Sequence, residues 1–359
     1  MPGSGRLYLL IWASLLAAGM SSFAQNQPNI LWIITDDQRA DALACYNQAT
    51  LGQNNSRLGY VESPNIDQLA SEGVLFTSAY CNSPACAPSR SSMHTGQYPH
   101  HSGRYGFEQT HTEHDLNQRT VPEILRTQGY GTAHFGKSGY YIFGWGPGQS
   151  YNRLPFYDVH IDHQGELARQ GFGDWSRYLE EETFWFPDGS TQTLIRGPYE
   201  DLTEAQQKQR DEFDSRLGIL RAYTRSNSGL ILGGVSPKPA GETTDAYIVK
   251  EFLNYLENQD RSYQTFEGST VDGADSNKPL MIHLGFHFPQ TPVLPPESFR
   301  KKFKDKHYTI PEFDLSEVDR LPAQLQKHYQ QMKIDGMSET DKQTLIRDYY
   351  AFCAFGDSL

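Results

Sequence analysis

The segment Asn29-Ile-Leu-Trp-Ile-Ile-Thr35, running straight into Asp36-Asp37, decides the fold class. It is a short apolar run rich in β-branched residues that stops at two carboxylates, as a strand buried on both faces of a parallel sheet does. Working outward, the chain alternates. Ser63-Pro64-Asn-Ile-Asp-Gln-Leu-Ala-Ser-Glu-Gly73 has a cap, a first-turn proline and a closing glycine, and predicts a helix. Val74 to Cys81 reads as the next strand. Thr120-Val-Pro-Glu123 is a capping box opening a helix that ends near Gly129, and Gly131 to Lys137 predicts a short strand. Thr244 to Asn258 has the spacing of an amphipathic helix, and Pro279-Leu-Met-Ile-His-Leu-Gly-Phe286 that of another core strand. This βαβα order predicts an α/β sandwich, a mainly parallel central sheet flanked by helices. Chemistry in such sheets collects beyond the carboxyl ends of the strands, and Asp36-Asp37, Lys137 and His287 each follow a strand-like run.

The 359 residues include 31 basic and 43 acidic side chains, a formal net charge of -12. That balance argues against nucleic acid as a partner, which would require a basic patch. Residues 1–24 read as a signal peptide: Arg6 is the only charge, Leu7 to Met20 is apolar, and Ser22-Phe23-Ala24 offers a cleavage site. An N-terminal anchor is the alternative. The mature chain is expected to be exported, periplasmic or secreted, with no later membrane span. Four cysteines make no disulfide framework and allow at most one bridge if Cys86 has another use. Residues 140–240, rich in Gly, Tyr, Trp, Asn and charge, are expected to be long loops with a helix from Glu204 to Tyr223, rimming a pocket. Thr344 to Leu359 reads as a helix with no later element to cover its apolar face. Residues 25–359 therefore read as a catalytic domain incomplete at its C-terminal end.

Four segments carry chemistry. In Cys86-Ala-Pro-Ser-Arg90-Ser-Ser-Met-His-Thr95-Gly96, Pro88 suits the first turn of a helix and Gly96 its end. Cys86 would then sit at a helix N-terminus, where free N–H groups favour an anion, with Arg90 one turn in. A structural cysteine beside an ordinary turn is the plainer reading. Asp36-Asp37 needs a hard cation or hydrogen bonds to offset repulsion, although an isolated Asp-Asp is more often a turn pair. Gly129-Tyr-Gly-Thr-Ala-His-Phe-Gly-Lys137 ends in a compact cation able to grip an oxyanion, and Gly285-Phe-His287-Phe-Pro-Gln290-Thr-Pro292 offers a histidine near two prolines. A fifth, weaker cluster is Asp158-Val-His160-Ile-Asp162-His163, in which Asp158, His160 and Asp162 would share one face of a strand as a metal trio.

In order and wording these segments resemble the type I sulfatases of the alkaline phosphatase superfamily, strongly over residues 28–138 and moderately over 244–357. The resemblance implies the alkaline-phosphatase-like fold and a set of roles. A maturation enzyme would oxidise Cys86 to formylglycine, whose hydrated aldehyde attacks sulfur through one hydroxyl and expels sulfate through the other. Asp36, Asp37 and the modified Cys86 would bind a divalent metal, Ca2+ being expected. Arg90 would stabilise the diol and Lys137 would contact sulfate. His287 would protonate the leaving alcohol, unless the register puts the family histidine before Thr-Pro, where Gln290 stands. Many relatives read Gly-Lys-Trp-His where this chain has Lys137-Ser138-Gly139, and a further acidic pair and lysine are expected beyond residue 359. The implied activity is hydrolysis of sulfate esters on a small molecule or polysaccharide, a sulfated carbohydrate suiting the aromatic rim. Alternatives are a phosphonate or phosphate-ester hydrolase on the same scaffold and a secreted carbohydrate-binding protein without turnover.

Overall fold

A computed structural model describes residues 27–106, 119–139, 156–162, 179–221, 231–312, 314–332 and 336–359. The expected leader, His163 and parts of the expected rim lie outside the described residues. The central sheet is built from β1 (Ile30–Asp36), β2 (Gly131–Gly136), β3 (Val159–Ile161) and β10 (Leu280–Pro289), all parallel, in the order β1-β10-β2-β3. Outside it lie three antiparallel pairs: β4 (Glu180–Trp185) with β5 (Thr191–Arg196), β6 (Leu220–Arg221) with β7 (Ile231–Gly233), and β8 (Ser262–Gln264) with β9 (Thr270–Asp272). The helices that matter below are α1 (Ala44–Leu51), α2 (Pro64–Glu72), α3 (Cys86–Thr95), α4 (Val121–Thr127), α5 (Glu204–Leu217), α6 (Thr244–Glu257), α7 (Glu297–Phe303) and α8 (Glu339–Asp357). Among the described residues no helix is long and apolar enough to cross a membrane. The sheet and its helices form the alkaline-phosphatase-like α/β sandwich.

Alternation along each strand divides the core into two layers. Ala133 and Phe135 of β2 and Ile282, Leu284 and Phe286 of β10 meet Ile248 and Tyr255 of α6 and Phe352 and Phe355 of α8. Sequestering one such aromatic side chain from water contributes about 1.5–3 kcal/mol. On the opposite face Trp32 and Met281 pack with Tyr130, Phe156 and Tyr157.

Several sequence expectations change. Val74 to Cys81 forms no strand; Val74, Phe76 and Tyr80 are 78%, 77% and 89% exposed, and no described strand lies alongside to complete a ladder. Helix α2 forms as expected, but Ser63 does not cap it. Its hydroxyl bonds Asp67 and the Ala44 N–H, while Asp357 at the end of α8 receives the N–H groups of Asn65 (3.1 Å) and Ile66 (2.8 Å). The capping box of Thr120 and Glu123 is present, the Glu123 carboxylate accepting from the Thr120 N–H at 2.8 Å. Within 140–240 the described part holds the β4–β5 hairpin as well as a helix, which stops at Leu217 because Gly218 turns left-handed (φ 58°). The apolar face of α8 is covered: Tyr350, Ala351, Phe352, Cys353, Ala354 and Phe355 are all buried. All four cysteines are free thiols.

Candidate active site

Three strand ends meet the N-terminus of α3. Asp36 closes β1, Lys137 follows β2 and Gln290 follows β10. The approach depends on two glycines that face each other in register, Gly136 and Gly285. A Cβ on Gly285 would lie 2.0 Å from the Lys137 carbonyl oxygen, and one on Gly136 would lie 2.3 Å from the Gly285 oxygen. Without side chains the two backbones close up, and the Lys137 N–H donates to the Gly285 carbonyl at 2.7 Å. The lysine therefore leaves the strand at a fixed point.

Its ammonium donates to Asp36 Oδ2 and to Gln290 Oε1. Arg90, 1% exposed, donates through Nη2 to Asp36 Oδ1 at 3.1 Å and through Nη1 to the Lys137 carbonyl at 3.1 Å. The Asp36 carboxylate thus sits between two cations. Burial opposes its ionisation, but Lys137 and Arg90 outweigh burial and hold it below the usual carboxylate range. Asp37 is pushed up, by burial and then by the neighbouring charge of Asp36. Asp37 is in the left-handed region (φ 61°), and its turn is held from α8, where the Tyr349 hydroxyl donates to the Asp37 carbonyl (3.0 Å) and accepts from the Arg39 N–H (2.8 Å).

Cys86 opens α3 after an extended Ala85, and Gly96 ends the helix in the left-handed region (φ 69°). A cleft of about 420 Å³ is lined by Asp36, Asp37, Arg39, Cys81, Cys86 and Arg90, among others. Burial raises the Cys86 thiol pKa, with Lys137 pulling the other way. On the far side of β10, the Asp245 carboxylate of α6 accepts the His287 N–H at 2.7 Å. Burial pushes Asp245 up to about 7, against the bonds from the His287 and Phe288 N–H groups.

The sulfatase family profile matches residues 28–344, most of the chain. The chain belongs to the sulfatase family. Human iduronate 2-sulfatase is 36% identical over 140 residues, which are 38% of this chain and 24% of that protein. The N-acetylglucosamine-6-O-sulfatase of Bacteroides thetaiotaomicron is 33% identical over 129 residues, 34% of this chain and 21% of that protein. Among solved structures, the phosphonate monoester hydrolase of Agrobacterium radiobacter superposes with a TM-score of 0.55 at 17% identity, over 92% of this chain and 57% of that one, a likeness of fold. The match to each curated relative therefore spans about a quarter or less of its length.

Against the sulfatase pattern, the structure brings Asp36, Asp37, Cys86 and Arg90 to one cleft, with Lys137 bonded to Asp36. It joins Gln290 to Lys137 and holds His287 through its backbone on Asp245. Asp36 and Asp37 suit a hard divalent cation in kind, both being carboxylate oxygen donors, and the site's raised Asp37 is one such a charge would relieve. They supply part of the six to eight oxygens such an ion takes, roughly, and among the described residues no cluster of three or more His, Cys, Asp or Glu side chains converges. The expected Asp158–His160–Asp162 trio does not form. Asp158 Oδ2 accepts from Thr132 N–H (3.0 Å) and Oγ1 (3.1 Å), and the His160 ring packs against that of His134, its strand neighbour, at an inclination of 59°.

Sequence reasoning missed a row of rings behind the site. Trp32, His283, His134 and His160 are direct register partners across β1, β10, β2 and β3. Their ring centroids are 4.9, 4.5 and 4.6 Å apart, the first pair stacked and the other two inclined at 60° and 59°. His94 of α3 lies over them, 5.3 Å from His283. Its Nδ1 is 2.9 Å from the Arg90 carbonyl, which can only accept, so neutral His94 carries its proton there. Nε2 then accepts from the Tyr157 hydroxyl (3.2 Å), whose oxygen takes the Nδ1 proton of His283 (3.0 Å). This directed chain ties Arg90 to the central strand. Burial drives His94 down to about 4, and His134 and His283 well below their usual value. The available signal was three histidines at mid-strand positions; their register was not in it.

Proposed function

We propose that the protein hydrolyses sulfate esters, sulfated carbohydrates being the substrate class, with residue 86 acting as formylglycine. The observation carrying this reading is the meeting of Asp36, Asp37, Cys86 and Arg90 in one cleft, with Lys137 held on Asp36. As formylglycine, residue 86 would supply a hydrated aldehyde whose hydroxyl is the nucleophile. A divalent ion, expected to be calcium, would be held by Asp36, Asp37 and residue 86 and would supply positive charge facing the sulfate. Lys137, oriented by Asp36 and Gln290, presents its Nζ to a sulfate oxygen. Arg90 is buried and fixed at both ends of its fork, so it adds charge beside residue 86 without ordering cost. Residue 86 opens α3, and the free N–H groups of a helix N-terminus favour an anion. His287 would give a ring proton to the departing alcohol, a transfer for which the Gln290 amide has no titrating group.

The same reading calls for a maturation enzyme that acts on the Cys86–Arg90 segment, and for export directed by residues 1–24, with residues 25–359 belonging to one catalytic domain. A phosphonate or phosphate-ester hydrolase is the second reading, favoured by the Agrobacterium radiobacter neighbour, since phosphate and sulfate share shape. The mass of the peptide containing Cys86, from protein made in its host, tests the first. A loss of about 18 Da relative to cysteine supports formylglycine, and an unmodified thiol overturns it. Rates on paired aryl sulfate and aryl phosphonate esters then separate the two hydrolase readings, and sugar binding without turnover of either would favour the inactive binding protein.

A further inference from the structure

A second pocket, of about 430 Å³, opens between the end of α5, α7 and α8. Five cations line it, Arg216, Arg300, Lys301, Lys304 and Arg347, against two carboxylates, Glu297 and Asp348. Both carboxylates are already engaged. Asp348, 1% exposed, takes Arg300 through both oxygens at 2.7 and 3.0 Å, and Glu297 takes Lys301 at 3.0 Å. Among the described residues no carboxylate lies within ion-pair distance of Arg216, Lys304 or Arg347. In a chain with twelve more acids than bases, 43 against 31, three such cations around one concavity are the reverse of what composition supplies.

The guanidinium groups are also braced from behind. Arg216 lies over the rings of Phe186 (4.7 Å) and Phe213 (5.3 Å) and donates to Gln192 at 2.8 Å. Arg347 donates through Nε to the Lys306 carbonyl at 2.8 Å, leaving its terminal nitrogens for another acceptor. Braced planar forks match the oxygens of a tetrahedral oxyanion and lose little freedom on binding one. The pocket is wider than one such anion, and Leu217 and Val235 add apolar wall. Helix α8 serves both sites, since Tyr349, next to Asp348, holds the Asp37 turn.

We propose that this pocket binds a sulfate group that is not being hydrolysed, a second sulfate of a polysulfated carbohydrate. The inference rests on the sulfate-ester reading of the cleft. Calorimetry at low ionic strength, with a polysulfated disaccharide, its unsulfated counterpart and inorganic sulfate as probes, tests it on the wild-type chain and on Lys304→Glu and Arg347→Glu. The proposal expects the disaccharide to bind more tightly than inorganic sulfate, the unsulfated sugar not to bind, and each variant to weaken disaccharide binding about tenfold or more. Lys304 is exposed, so its variant should melt where the wild type does. Unchanged affinity in the Lys304→Glu variant overturns the proposal, and so does inorganic sulfate binding as tightly as the disaccharide. Failure of the cleft reading shows separately, as an unmodified Cys86 thiol with pocket binding intact.

Discussion

Acidification from pH 7 to pH 5 protonates the histidines of the unfolded chain while the buried ring row behind the site stays neutral, and His94→Leu isolates the row's best-defined member. His94 is fully buried, contacts Arg90, Tyr157 and His283, and has a pKa near 4 against about 6.5 in an unfolded chain. The folded state therefore binds fewer protons than the unfolded state between those values. For this depressed histidine, stability is complete above about pH 6.5 and is lost as the pH falls toward about 4. The whole gap is worth about 3 kcal/mol, of which about 2 kcal/mol is gone by pH 5. Asp245 works in the opposite sense: its pKa, raised from 3.8 to about 7, means its contribution is largest at low pH and fades as the pH rises through 7. The wild-type pH curve alone thus mixes two opposing slopes. Urea unfolding at pH 7 and pH 5, for wild type and His94→Leu, removes Asp245 by difference. Leucine fills a similar volume and costs about 1 kcal/mol at either pH through the lost bond to the Arg90 carbonyl. The wild type should lose about 2 kcal/mol more than the variant between the two pH values. Equal losses would refute a buried neutral His94.

Asp245→Asn keeps an oxygen for the His287 N–H but removes the titration; the wild type should lose about 3 kcal/mol between pH 5 and 8 that the variant retains, read by the same unfolding curves. Arg90→Lys cannot span Asp36 Oδ1 and the Lys137 carbonyl with one fork, so it should cost about 3–5 kcal/mol in urea and abolish turnover; full stability would show that the pair is dispensable. Gly285→Ala puts a methyl into the Lys137 carbonyl and should destabilise by about 3 kcal/mol or shift β2 against β10, visible as lost amide protection at Lys137.

The local elements were legible because their causes are local. The capping box at Thr120, the proline and glycine bounding Cys86 to Gly96, and the alternation in β2 and β10 all act within a few residues, and each element formed. The choice of Asp36-Asp37, Cys86, Arg90 and Lys137 as candidate residues was legible too, because each motif is contiguous, and the structure brings them together. Contacts across hundreds of residues were not legible. Asp357 replaces Ser63 as the cap of α2, and Tyr349 fixes the turn at Asp37. Val74 to Cys81 has a strand's composition but forms no strand, because ladder bonds come from a neighbour and no described strand lies beside it. What the amino-acid order by itself determined is therefore most of the central strands with their flanking helices, and the types of candidate groups at the strand ends. Tertiary structure alone decided the order of the strand ends in the sheet, that Gln290 meets Lys137, and that four rings line up behind Arg90, since register between parallel strands depends on packing of the whole sheet.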